Sequence, residues 1–135
     1  MSTPTSGLLD TSVFVAREDG RPLAELPDHV AVSVITIGEL QIGVLHAGDA
    51  ATRARRGETL AQARAADPIP ISEAVMVTWA RLVADCRRLG LRRTVKLTDS
   101  LIAATAIEHG LAVVTQDDDY DRMAEAHPQL AVLRV

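Results

Sequence analysis

The sequence predicts an α/β fold of three layers, a central parallel β-sheet with helices on both faces, and three observations carry that reading. Short aliphatic runs alternate along the chain with longer stretches of helical character, the order that builds parallel sheets through right-handed crossovers. The stretch from Ser72 to Leu89 has a clean helical period, with Val75, Trp79, Leu82, Val83, Cys86 and Leu89 on one face. The stretch from Asp99 to His109 is apolar almost all round, as a helix buried on more than one side must be.

Taken in order, Gly7-Leu8-Leu9-Asp10 is an apolar run ending in an acid, and Thr11-Ser12 then opens a stretch able to turn helical. Asp19-Gly20-Arg21-Pro22 and Pro27-Asp28 carry turn chemistry. The β-branched run from Val30 to Val34 predicts a second buried strand, and Thr36 is expected to open a helix reaching His46 or Gly48. From Ala51 to Ala66, rich in Ala and Arg, the chain reads as a solvated helix that Gly57 is expected to interrupt. Pro68-Ile69-Pro70-Ile71 is extended, and its prolines confine it to a sheet edge. After the helices at 72–89 and 99–109, each closed by a glycine, Leu111 to Thr115 is a buried strand. An acidic turn, a short helix from Tyr120 to Ala126 and a last strand from Leu130 to Val135 complete the chain.

The chain has 135 residues, enough for one domain (1–135) with a real core and too few for two. Phe14, Trp79 and Tyr120 are the only aromatics, so the core is aliphatic and a stacking platform for bases has few candidates. A nucleic-acid partner would be held mainly through charge. Cys86 is the only cysteine, which excludes an intramolecular disulfide or a thiolate zinc cage. With no charged leader and no apolar run of membrane-spanning length, a soluble, cytoplasmic protein that avoids the membrane is expected.

Four acids stand at the ends of elements: Asp10 after a strand, Glu39 in the first turn of a helix, Asp99 at a helix start and Asp117 after a strand. Singly, each has a structural explanation. Asp10 can cap a helix, Asp99 can favour a helix N-terminus, Asp117 to Asp119 can be a solvated turn, and Thr36-x-x-Glu39 matches a capping box. Those readings leave unexplained why all four fall where a doubly wound sheet gathers its functional groups, beyond the carboxyl ends of the strands. Convergent carboxylates repel, and a hard cation such as Mg²⁺ or Mn²⁺ relieves that repulsion through oxygen ligands. Metals so held support phosphodiester hydrolysis.

The order Leu9-Asp10-Thr11-Ser12, Thr36-x-x-Glu39-Leu40-x-x-Gly43, Thr98-Asp99-x-x-Ile102-Ala103-Ala104-x-Ala106 and Val114-Thr115-x-Asp117-x-Asp119-Tyr120 resembles the PIN-domain family, of the VapC toxin type. The resemblance spans nearly the whole chain. It implies a PIN-like fold and a metal-dependent endoribonuclease in which Asp10, Glu39, Asp99 and Asp117 are catalytic. The same four acids, with Asp119 as an auxiliary acid, would hold Mg²⁺ or Mn²⁺. Thr11, Ser12 and Thr115 would place hydroxyls beside the metal. It further implies a homodimer and inhibition by a cognate VapB-type antitoxin. Tyr120 stands where the family often carries Phe. The apolar helix from Asp99, with Ile35, Ile42 and Leu45, offers a dimer face or antitoxin groove; ordinary core packing is the alternative.

The net charge of −4 argues against a polyanionic partner only while the site acids count. With four acids neutralised by metal, the remaining acids match the 14 basic residues. Arg87, Arg88, Arg92, Arg93 and Lys96 crowd the approach to Asp99. The first two suit a helix C-terminus, so Arg92, Arg93 and Lys96 are the expected RNA contacts. Two other functions compete. A phosphoacceptor domain would need paired acids after the first strand and a lysine after the fifth, whereas Asp10 stands alone and Lys96, the only lysine, precedes a helix. A non-catalytic binding protein of the same fold would not need the intact acid set.

Overall fold

The computed structural model describes residues 4–91 and 95–135, so the expected RNA contacts Arg92 and Arg93 lie outside the described residues. The elements run β1 (Ser6–Leu9), α1 (Thr11–Glu18), β2 (His29–Val32), α2 (Val34–Leu45), α3 (Ala50–Ala65), α4 (Glu73–Arg88), α5 (Leu97–Glu108), β3 (Ala112–Thr115), α6 (Asp119–Ala126) and β4 (Val132–Arg134). The strands form one parallel sheet in the order β2-β1-β3-β4.

Because neighbouring strand residues point to opposite faces, each central strand feeds two cores. Leu8 and Val113 join Leu82, Ile102 and Met123 on the side of α4, α5 and α6. Leu9 and Val114 join Phe14, Leu40 and Leu60 on the side of α1, α2 and α3. The three-layer expectation is therefore met.

Several local expectations are corrected. Helix α2 begins at Val34 and not at Thr36, because the Ser33 side chain caps it by accepting from the Ile35 amide at 3.0 Å. Helix α3 is continuous through Gly57, started by Asp49, whose carboxylate accepts from the Thr52 amide at 2.7 Å. A single glycine costs a helix only about 1 kcal/mol, too little to break one that is capped and packed. The extended segment at 68–71 shrinks to one bridge, Ser33 to Ile69, at the β2 edge; Pro68 and Pro70 have no amide to extend it. Leu89, placed on the buried face of α4, is 58% exposed because the helix ends at Arg88. Trp79 is only half-buried, its indole N–H donating to Ser100 Oγ at 2.9 Å. Helix α5 starts at Leu97, two residues before Asp99. Its Ile102, Ala103, Ala104 and Ala106 are wholly buried within this one chain, which makes them core.

Gly7 shows how tightly the central strands are packed. A Cβ built there would stand 2.4 Å from Val114 Cγ2 and 3.1 Å from Pro27 Cγ. Val114 is fully buried and branched at Cβ, so it has nowhere to rotate. Gly7→Ala is expected to destabilise the protein by about 1–3 kcal/mol, as overpacking does. A denaturant melt checks this; a midpoint equal to that of the parent would show that β1 and β3 can spread.

Candidate active site

The chain leaves β1 for β2 on one side and later returns to β3 on the other, so the strand order reverses between β1 and β3. A parallel sheet opens a crevice at such a point, beyond the carboxyl ends of its strands. Asp10 directly follows β1, and its amide donates to the Val114 carbonyl of β3 at 2.8 Å. Asp117 lies two residues past the end of β3, the third strand and not the fourth, since the 68–71 segment forms none. Both acids therefore belong to one crevice.

Asp10 is 3% exposed and does more than cap α1. Its Oδ2 accepts from Ser12 Oγ at 2.8 Å and Thr115 Oγ1 at 3.0 Å, with the Ser12 amide at 3.4 Å. Its Oδ1 accepts from the Tyr120 hydroxyl at 2.9 Å. A helix cap needs one donor; a carboxylate met by three hydroxyls is being held in one orientation. The same hydroxyls shape the loop after β3: Ser12 Oγ accepts from the Gln116 amide and Thr115 Oγ1 from the Asp117 amide, each at 3.0 Å.

Glu39 is not part of a capping box. It lies in the second turn of α2, where Thr11 Oγ1 donates to its Oε1 at 2.7 Å. Thr36 is buried, 3.0 Å from the same Thr11 oxygen. Thr11 thus aims Glu39 from the start of α1, and Ser12 and Thr115 serve Asp10.

Asp99 sits in the first turn of α5, whose N-cap residue Lys96 makes no side-chain capping bond. A helix N-terminus should lower a carboxyl pKa. Instead Asp99 is pushed up to about 6, first by burial and then by the charges of Asp10, Asp119 and Glu39, with Lys96 opposing. Asp117, at the exposed rim, is also raised, by burial first and then by Asp10 and Asp119, while Lys96 and Arg134 oppose. Asp119, the first residue of α6, stands 4.0 Å from Lys96 Nζ. The five acids share one electrostatic field. Among the described residues no three of them close into a ready cage. The arrangement is open rather than closed around one point, and Glu39 with Thr11 also borders a hollow of about 370 Å³ lined by Gly43 and Arg56 among others.

The raised Asp99 pKa fixes the sign of a pH effect. The folded protein holds the Asp99 proton up to about pH 6, whereas the unfolded chain releases it near 3.8. Metal-free stability from this group is therefore full below pH 3.8 and is lost as pH rises toward 6. The loss is on the order of 1–2 kcal/mol once screening at a partly exposed carboxyl is allowed for. Asp99→Asn is expected to remove that slope and to leave the metal-free protein as stable as the parent, or more so, at pH 7–8, read by thermal melts across pH. A destabilised variant with the slope intact would make Asp99 a helix-terminal group only.

Sequence reasoning missed Tyr120 as the anchor of Asp10. It is fully buried, and burial followed by the Asp10 charge drives its phenol pKa far upward, so it stays a donor. A signal was present: the single tyrosine directly follows the acidic turn, and a buried tyrosine hydroxyl needs a partner. His127 is buried with Nδ1 2.7 Å from Asp85 Oδ2, which ties the end of α6 to α4.

Comparison with known proteins matches residues 7–126 to the PIN domain. The chain is 71% identical over 100 residues to Ribonuclease VapC8 of Mycobacterium tuberculosis, covering 74% of this chain and 89% of the relative. It is 43% identical over 121 residues to Ribonuclease VapC5 of the same organism, covering 88% of each. Among solved structures it superposes with a TM-score of 0.86 and 38% identity on VapBC-5 from Mycobacterium tuberculosis, a member of the VapBC family of toxin–antitoxin systems, covering 98% of this chain and 100% of that one. The chain belongs to the PIN-domain family, among the VapC ribonucleases.

Proposed function

We propose that this endoribonuclease, the toxin of a toxin–antitoxin pair, hydrolyses RNA phosphodiester bonds at the carboxylate cleft beyond β1 and β3, with Mg²⁺ or Mn²⁺. The observation that carries the reading is the convergence of acids from separate elements: beyond the effect of burial, Asp10, Asp119 and Glu39 add their charges in pushing Asp99 up to about 6, and Asp10 and Asp119 act likewise on Asp117. A structural cluster gains nothing from such repulsion. A hard divalent cation fits it, because every donor is oxygen and because Mg²⁺ is commonly held by few carboxylates plus waters, which an open cleft permits.

Asp10, Glu39, Asp99 and Asp117 would hold the ion, with Asp119 as an auxiliary acid. When bound, the ion would supply charge neutralisation and easier ionisation of water. The chain's own groups do the rest. Ser12, Thr115 and Tyr120 fix Asp10, and Thr11 fixes Glu39, so these carboxylates keep their aim without reorganising during the reaction. Asp99 and Asp117 accept hydrogen bonds from the attacking water and orient it toward phosphorus. The new bond joins the water oxygen to phosphorus as that water gives up a proton to solvent, the bond from phosphorus to a ribose oxygen breaks, and the departing oxygen takes a proton from solvent. Lys96, exposed at the lip, meets a phosphate of the substrate, as do Arg92 and Arg93 in this reading.

A VapB-type antitoxin is the partner that silences the enzyme, in line with the VapBC assemblies that this chain resembles. A homodimer is also part of the reading. Ile42 and Leu45 on α2, 55% and 68% exposed, offer apolar surface to either partner, whereas Ile102, Ala103, Ala104 and Ala106 of α5 are spent on the core. Among the described residues no helix is long and apolar enough to cross a membrane.

The purified chain, freed of antitoxin, is expected to cleave RNA with Mg²⁺ or Mn²⁺, to stop in EDTA and to recover when metal is restored. Cleavage that persists in EDTA would reject the metal mechanism.

A further inference from the structure

A cation that sequence reasoning passed over meets the acidic segment from the last strand. Arg134 is the register partner of Thr115, so its side chain leaves the same face of the sheet as the hydroxyl that holds Asp10. Its guanidinium donates to the Gln116 carbonyl at 3.1 Å, one residue before Asp117, and stands 3.6 Å from Asp121 in the first turn of α6. Lys96, from the start of α5, is 4.0 Å from Asp119 in that same turn. Two cations from different elements therefore attend the short segment from Gln116 to Asp121, which carries Asp117, Asp118, Asp119 and Asp121. Both also pull the Asp117 carboxyl back toward its ordinary range.

The two contacts of Arg134 are of the kind that a substrate can share. The side chains of Arg134 and Asp121 are each about half exposed, and exposed pairs at this spacing contribute little to stability. Only one N–H of the fork, whose shape suits phosphate, is committed to a hydrogen bond, the one to Gln116, while Asp121 at 3.6 Å is an ion pair beyond hydrogen-bond distance. A polyanion that must lie across these carboxylates needs cations beside them, and Arg134 is one, set against the loop after β3 that carries Asp117.

We propose that Arg134 is a phosphate contact of the RNA, which together with Lys96 seats the chain across the carboxylates; this rests on the ribonuclease reading above. The competing role is structural, a pin between β4, the loop after β3 and α6. The two differ in what they require: a phosphate contact needs the charge, whereas the pin needs the fork on the Gln116 carbonyl.

Phosphate contacts are insensitive to base identity, so a mixed-sequence RNA pool with Mg²⁺ serves as the probe. Initial rates across a salt series are measured for the parent, Arg134→Ala, Arg134→Lys and Arg64→Ala, the last being an exposed arginine near the end of α3. Arg134→Ala is expected to raise KM by about 3–10-fold at low salt with kcat within about twofold, and to reduce the slope of log KM against log salt by about 0.7. Arg134→Lys should recover most of both, and Arg64→Ala should match the parent. An unchanged KM and salt slope in Arg134→Ala, in a parent that cleaves, overturns this proposal alone. So does an equal loss in the Ala and Lys variants with a lowered melting temperature and an unchanged salt slope, the mark of the pin. A parent that cuts no RNA with metal overturns the ribonuclease reading and this proposal with it.

Discussion

Asp10→Asn is expected to lower RNA cleavage by roughly 10²–10⁴-fold, the range in which loss of one essential charged group at a hydrolytic centre falls. It should do so with little change in fold. The amide oxygen can take the place of Oδ2 and accept from Ser12 and Thr115, and the amide nitrogen can donate to the Tyr120 oxygen, which reverses its role from donor to acceptor. The buried Tyr120 hydrogen then lacks an acceptor, so stability is expected to fall by about 1–3 kcal/mol at most. Asp10→Ala would remove the same charge but strand the buried Tyr120 and Thr115 hydroxyls, each at a cost of about 1–3 kcal/mol. Comparing the two variants therefore separates chemistry from packing. Cleavage at the parental rate by Asp10→Asn, with the folded state verified by thermal melting, would remove Asp10 from the reaction.

Tyr120→Ala should have the largest effect on stability, about 3–5 kcal/mol, because the ring is fully buried beside Met123, Ile102 and Leu130 and no neighbour can refill its volume. For a chain of this length that is of order 10 °C in Tm. Tyr120→Phe keeps the packing and deletes only the hydroxyl, leaving Oδ1 of Asp10 without its 2.9 Å donor. A loss of about 1–3 kcal/mol is expected in the metal-free protein. Added metal should narrow that gap, since a cation can occupy the freed oxygen. A Phe variant as stable as the parent without metal would mean that the hydroxyl contributes no orientation to Asp10.

The sequence by itself determined the fold class, the order of the elements and the acids worth suspecting. Period-2 and period-3.6 burial is written locally, and a strand that ends in an acid is visible wherever its partner lies. Boundaries follow capping: Thr36-x-x-Glu39 has the spacing of a capping box, but Ser33, three residues earlier, holds the cap. The partner of Glu39 is Thr11, 28 residues away.

What only the tertiary structure decided is which groups meet. Asp10 is held by Thr115 and Tyr120 across separations of 105 and 110 residues. Arg134 reaches Asp117's loop because β4 pairs with β3 in a register that sets it beside Thr115. No local pattern encodes these pairings. Hydrophobic periodicity reports that a face is buried and not what it is buried against, whereas a hydrogen bond or a raised pKa depends on separations of a few ångströms that strand order and register alone establish.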